Sequence, residues 1–106
     1  MLWADVRAMR FTVYRAFSSF LATGVPGPEG SVAKLFWSDT AQRLARTGLE
    51  LQGVYGQLAP EAEPTLDGGW WQHAALRSRG NSIEAGTSEI LRSVVAERVL
   101  GLPRSR

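Results

Sequence analysis

Residues 82–90 read Ser-Ile-Glu-Ala-Gly-Thr-Ser-Glu-Ile and set two carboxylates and a threonine around an Ala-Gly pair. A carboxylate works as a general base only within about 2.6–3.2 Å of the departing proton. Glu84 is the candidate for that role. Gly86 permits close approach of a ligand or a second chain, or a positive φ that other residues resist. Thr87 as an N-cap leaves the first amides of a following helix pointing outward, where the helix dipole favours a phosphate or carboxylate. The same stretch also reads as a plain link between two helices, with Thr87 capping one and Ser82 closing the other. Capped turns are far commoner than anion sites, and residue types alone leave both readings open.

Periodicity places this motif late in a helical chain. Val6, Met9, Val13, Phe17 and Phe20 fall at steps of three or four, which predicts a helix from about Leu2 to Ala22 with one apolar stripe. Asp5 suits its start, and Gly24-Val25-Pro26-Gly27-Pro28 stops it. Val32, Leu35, Phe36, Ala41, Leu44, Ala45 and Leu49 predict a second buried stripe, on a helix with Ser31 as N-cap and Gly53 as stop. Gly48 weakens its last turn, since an interior glycine costs about 1 kcal/mol relative to alanine. Residues 54–69 hold no sustained period and read as a long connection.

A third helix runs from Trp70 to about Arg79 and breaks at Gly80-Asn81. The last is expected from Thr87 to Leu100, with Ile90, Leu91, Val94, Val95 and Val99 inward. Glu89 and Arg98 sit at the ends of that helix which its dipole favours, and Gly101 and Pro103 end it. The fold class is therefore all-α, an antiparallel helical bundle forming a single domain over residues 1–106.

Composition narrows the chemistry. At 44% hydrophobic and 21% charged residues the chain is an ordinary globular sequence. It has no cysteine, which excludes disulfides, thiolate zinc sites and thiol catalysis. His73 is the only histidine, so no metal site is expected, and His73 reads as a surface or interface side chain. The net charge is +2, and eleven of the twelve basic residues are arginines scattered along the chain. A nucleic-acid binder concentrates positive charge on one face, so no nucleic-acid partner is expected. No apolar run approaches the roughly 20 residues that span a bilayer, and the start lacks the order of a secretory signal. These features set the expectation of a cytoplasmic protein without membrane contact.

Residues 79–103, RGNSIEAGTSEILRSVVAERVLGLP, closely resemble the C-terminal end of flavin-dependent acyl-CoA dehydrogenases. The GTSEI core and the AERVLGLP ending carry the resemblance together. KLFWSDTAQRLARTGLELQG, residues 34–53, is similar to the preceding long helix of that family. The resemblance covers nearly the whole chain but only the family's C-terminal helical-bundle domain.

It implies oxidation of an acyl-CoA thioester to the 2,3-enoyl form. A glutamate takes the α-hydrogen as a proton, and the β-hydrogen passes to FAD as hydride. In one large branch that glutamate immediately precedes the Gly-Thr of this motif. Here Ala85 holds the position, and Glu84 lies one place earlier. One residue swings a side chain by roughly 100° in a helix or turn, so Glu84 is a weak candidate for the base. A second, isovaleryl-CoA-dehydrogenase-like branch carries Ala-Gly-Thr here and supplies its base from a helix further upstream. This chain resembles that branch.

The resemblance also implies that Thr87 and Glu89 help hold FAD and that Gly86 lies near the acyl-CoA thioester. The family often carries Gln-x-x-Gly-Gly after its long helix, touching the FAD of a neighbouring subunit. Here the stretch is Glu50-Leu51-Gln52-Gly53-Val54, which keeps Gly53 and puts Glu50 in place of the glutamine. The implied partners are acyl-CoA, further copies in a homo-oligomer, and the N-terminal and middle domains that enclose the flavin. The chain then reads as a fragment of a longer acyl-CoA dehydrogenase, inactive alone. The alternative is a non-catalytic helical interaction module. Trp3, Trp37, Trp70 and Trp71 could serve an interface, although Trp37 is expected in the core.

Overall fold

The computed structural model describes residues 1–104 and is helical, with no strand among them. Helix α1 spans Leu2–Thr23, α2 Glu29–Leu51, α3 Trp70–Arg77 and α4 Ser88–Arg98. The expected bundle is present, with α2 as its hub, against which α1, α3 and α4 all pack. None of the four helices is long and apolar enough to cross a membrane.

Local chemistry explains the boundaries. Gly24 takes φ 69° and returns its N–H to the Phe20 carbonyl, a left-handed cap that closes α1. The second helix starts earlier than Ser31. Pro28 is its cap, and the Ser31 N–H bonds the Pro28 carbonyl at 3.0 Å, because proline's fixed φ already suits the first turn. Residues 54–69 are more ordered than a plain connection, with 3-10 turns at Gly53–Gln57 and Leu66–Gly69. Three successive residues there, Asp67, Gly68 and Gly69, have positive φ. The Trp71 indole N–H donates to Asp67 at 2.7 Å and pins this turn to the start of α3.

Gly48 lies in helical backbone, where its absent side chain matters rather than its dihedrals. A Cβ there would run into the Trp71 ring, so the glycine lets α3 press directly onto α2. Adjacent tryptophans on α3 divide their roles as helical geometry requires. Trp71 packs on Gly48, while Trp70 stands outward in an edge-to-face pair with it, ring centroids 4.8 Å apart.

The interior differs from the expected apolar core. Ala45 is the only buried hydrophobic residue among those described, whereas Ser38, Thr40, Gln72, Ser78 and Asn81 are all buried. Val6, Phe17 and Phe20 of the α1 stripe remain exposed, and so does Trp37, which is 40% accessible rather than in the core. The physical reason is the shape. The Cα radius of gyration is 17.2 Å, against about 13 Å for a compact chain of this length. Three helices lean on a fourth, and their remaining apolar faces meet solvent.

Candidate functional site

The 84–89 turn hangs from one side of α2. A short 3-10 turn, Gly80–Ser82, follows α3, and the Ser82 hydroxyl closes it by donating to the Arg79 carbonyl at 2.9 Å. Ala85 then takes φ 54° and Gly86 φ 99°, two consecutive left-handed residues that redirect the chain into α4. Thr87 is the N-cap, and its Oγ1 accepts from the Ile90 N–H at 3.3 Å. Its own hydroxyl hydrogen faces the Glu89 carboxylate.

Glu84 is exposed and paired with Arg77. Arg77 grips its carboxylate with one nitrogen, at 3.1 Å to Oε1 and 2.8 Å to Oε2. Both side chains are about half exposed. Such a pair contributes only about 0–1 kcal/mol to stability, but it occupies the oxygens that a base would offer. Arg77 also donates to Asn81 Oδ1 at 3.2 Å.

Glu89 lies in the open, in the first turn of α4. Its carboxyl is held below its ordinary value of 4.5, chiefly by a hydrogen bond from its own backbone amide. The Thr87 hydroxyl and the Arg92 charge act in the same direction. A carboxyl lowered on folding stabilises the folded chain above its unfolded pKa, and that contribution disappears as pH falls through the folded value. The melting temperature of the parent chain should therefore exceed that of Glu89→Gln at neutral pH. The gap should close below the usual carboxylate range, as thermal unfolding followed across pH can check.

Sequence reasoning missed the residues that hold this turn. Lys34 donates to the Gly86 carbonyl at 2.8 Å, and Ser38 reaches the Asn81 carbonyl at 2.8 Å. Gln42 donates to the Ser78 carbonyl at 3.1 Å and to Ser82 Oγ at 3.3 Å. The available signal was the recurrence of polar residues at steps of four, Lys34, Ser38 and Gln42, along one stripe of α2. Gly53 lies elsewhere, with φ 56° just beyond the end of α2. From Lys34 to that end the helix rises about 25 Å, so Gly53 and the 84–89 turn cannot meet one small ligand within a single chain.

Between α2 and α4, Val32, Leu35, Phe36, Val95, Ala96 and Leu100 line an open apolar groove of about 400 Å³. It is wide to solvent rather than enclosed.

Residues 1–100 match the model of the acyl-CoA dehydrogenase C-terminal domain. The chain belongs to the acyl-CoA dehydrogenase family. It is 35% identical over 102 residues to acyl-CoA dehydrogenase IpdE1 of Mycobacterium tuberculosis, covering 96% of this chain and 25% of that protein. Against the Mycolicibacterium smegmatis IpdE1 it is 37% identical over 108 residues, covering 96% and 24%. The chain thus spans about a quarter of the length of these curated relatives. The solved structure "Tcur3481-Tcur3483 steroid ACAD" superposes with a TM-score of 0.86 at 24% identity, over 98% of this chain and 27% of that one. That likeness concerns the fold.

For an acyl-CoA dehydrogenase domain the question is which part of a flavin nucleotide the turn suits. The Thr87 hydroxyl already serves Glu89, and the ionised carboxylate can only accept, so the turn would suit a hydroxyl of a flavin nucleotide rather than a phosphate. Glu89 already sits at the helix start, where its charge opposes a phosphate, so the free-amide phosphate site is less suited than the sequence implied. Glu50, exposed three residues before Gly53, opposes a diphosphate at that end in the same way.

Proposed function

We propose that this chain is the FAD-contacting and oligomerising helical domain of an acyl-CoA dehydrogenase. In this reading residues 1–106 form one unit of a longer protein, and the unit is inactive alone. FAD, once enclosed, would supply the hydride acceptor for oxidation of an acyl-CoA thioester to its 2,3-enoyl form. Glu89, served by the Thr87 hydroxyl, holds a hydroxyl of the nucleotide, Gly86 lies beside the thioester, and Gly53 reaches the flavin of another copy. The base comes from outside the chain. The observation that carries this reading is the openness of the 84–89 turn, where Ala85 has no proton acceptor and Glu84 is engaged by Arg77.

Co-expression with the N-terminal and middle domains of a related acyl-CoA dehydrogenase tests it. The expected product is a yellow assembly with flavin absorbance that oxidises an acyl-CoA, and a colourless, inactive one would count against the reading. In that assembly Glu84→Gln should keep turnover within about threefold, whereas removing a true base costs on the order of 10²–10⁴-fold. A loss of the latter size would make Glu84 the base.

A purely associative module is the second reading. It is favoured by the outer face of α1, where Arg7 lies over Trp3 and Phe11 and Arg10 over Tyr14, each within 5.5 Å of the ring centroid. Aromatic and arginine side chains of this kind are enriched at interfaces. Light scattering of the isolated chain tests this second reading, since a stable monomer would remove it.

A further inference from the structure

We propose that Lys34 is the positioning residue of the 84–89 turn, its ammonium fixing the Gly86 carbonyl so that α4 starts in a set place on α2. Lys34, Ser38 and Gln42 recur at steps of four and therefore share one stripe of the helix. Each donates to a main-chain carbonyl, of Gly86, Asn81 and Ser78 respectively. The three rungs span the whole link between α3 and α4. Apolar burial does not hold this link, since Ile83 within it is 67% exposed.

The residue type fits the task. Lys34 is the only lysine in a chain with eleven arginines. A guanidinium fork favours two-pronged acceptors such as carboxylates, while a compact ammonium on a flexible stem suits a single carbonyl oxygen. Among the described residues no carboxylate lies within ion-pair range of Lys34, and the carbonyl is its hydrogen-bond acceptor. A cation at the Gly86 oxygen polarises the Gly86–Thr87 peptide and makes the Thr87 N–H a stronger donor. The positioning role stands on this geometry alone. Only its consequence for FAD rests on the function proposed above.

Residue-resolved amide exchange on the 106-residue chain tests it. Lys34→Met should speed exchange at residues 84–90 by about 10-fold or more, the scale of a lost charged hydrogen bond, and leave α2 and α3 within about twofold. Lys34→Arg, which keeps a cation and donors on a fork less suited to one carbonyl, should restore part of the protection. Chemical modification gives a second route that avoids refolding a variant, because Lys34 is the only side-chain amine. Acetylation removes its charge and should loosen the turn, while reductive methylation keeps the charge and should not. Exchange that rises uniformly along the chain, or equal behaviour of the acetylated and methylated chains, overturns the proposal. In a flavin-loaded assembly Lys34→Met should also weaken FAD retention. Unchanged retention together with a loosened turn would count against the flavin reading and leave the positioning role intact.

Discussion

Replacing Gly48 with valine should lower the melting temperature more than any other single change considered for this chain. The new side chain would begin inside the Trp71 ring, and the indole cannot retreat freely because its N–H is tied to Asp67. Overpacking of this kind costs about 1–3 kcal/mol, and valine's better helix propensity than glycine's offsets only a few tenths of it. At about 4–8 °C per kcal/mol for a chain of this size, a loss near 2 kcal/mol lowers the midpoint by about 8–16 °C. Trp71 should become more solvated, so its fluorescence should shift to the red. Gly48→Ala should show a smaller effect of the same sign. If valine leaves the midpoint unchanged, α3 does not press on α2 as described.

The second large effect is expected at Glu89. In an assembly that retains flavin, Glu89→Ala should weaken FAD binding by about 10–100-fold, the range for a hydrogen bond to a charged group. Glu89→Gln keeps an acceptor oxygen and should fall between the alanine variant and the parent. Glu50→Ala provides the contrast: by removing a negative charge near Gly53 it should leave retention unchanged or improve it. Equilibrium titration of the apo-assembly with FAD reads all three. If Glu89→Ala retains FAD like the parent, Glu89 has no place in the flavin site.

Local signals in the sequence served well wherever the cause was local. The 3.6-residue period and the glycine stops located α1, α3 and α4 to within about two residues. Thr87 was readable as a cap because a hydroxyl before an apolar run has few other uses. Pro28 displaced Ser31 as the cap of α2 because proline's own geometry begins a helix without a side-chain acceptor. Burial was far less legible. An apolar stripe states that a face prefers cover but not whether the chain can supply it, and Phe17 and Trp37 stay exposed for that reason.

The grip on the 84–89 turn was hidden for a different reason. Lys34, Ser38 and Gln42 act on main-chain carbonyls, which carry no residue identity and leave no pattern at the receiving end. The Arg77 partner of Glu84 lies seven residues away across a break in helix, so no helical spacing announces the pair. Gly48 was the opposite case, a residue that local propensity marks as a weakness. Contact with Trp71 makes it a requirement.

Since the other three helices all rest on α2, the molecule is wired like a spoked hub with no rim. A push on α1 reaches the Gly86 peptide chiefly by bending or rotating the central rod, and the three carbonyl tethers would pass that motion on. Any body that clamps the aromatic side of the first helix is therefore mechanically in series with the turn beside Thr87.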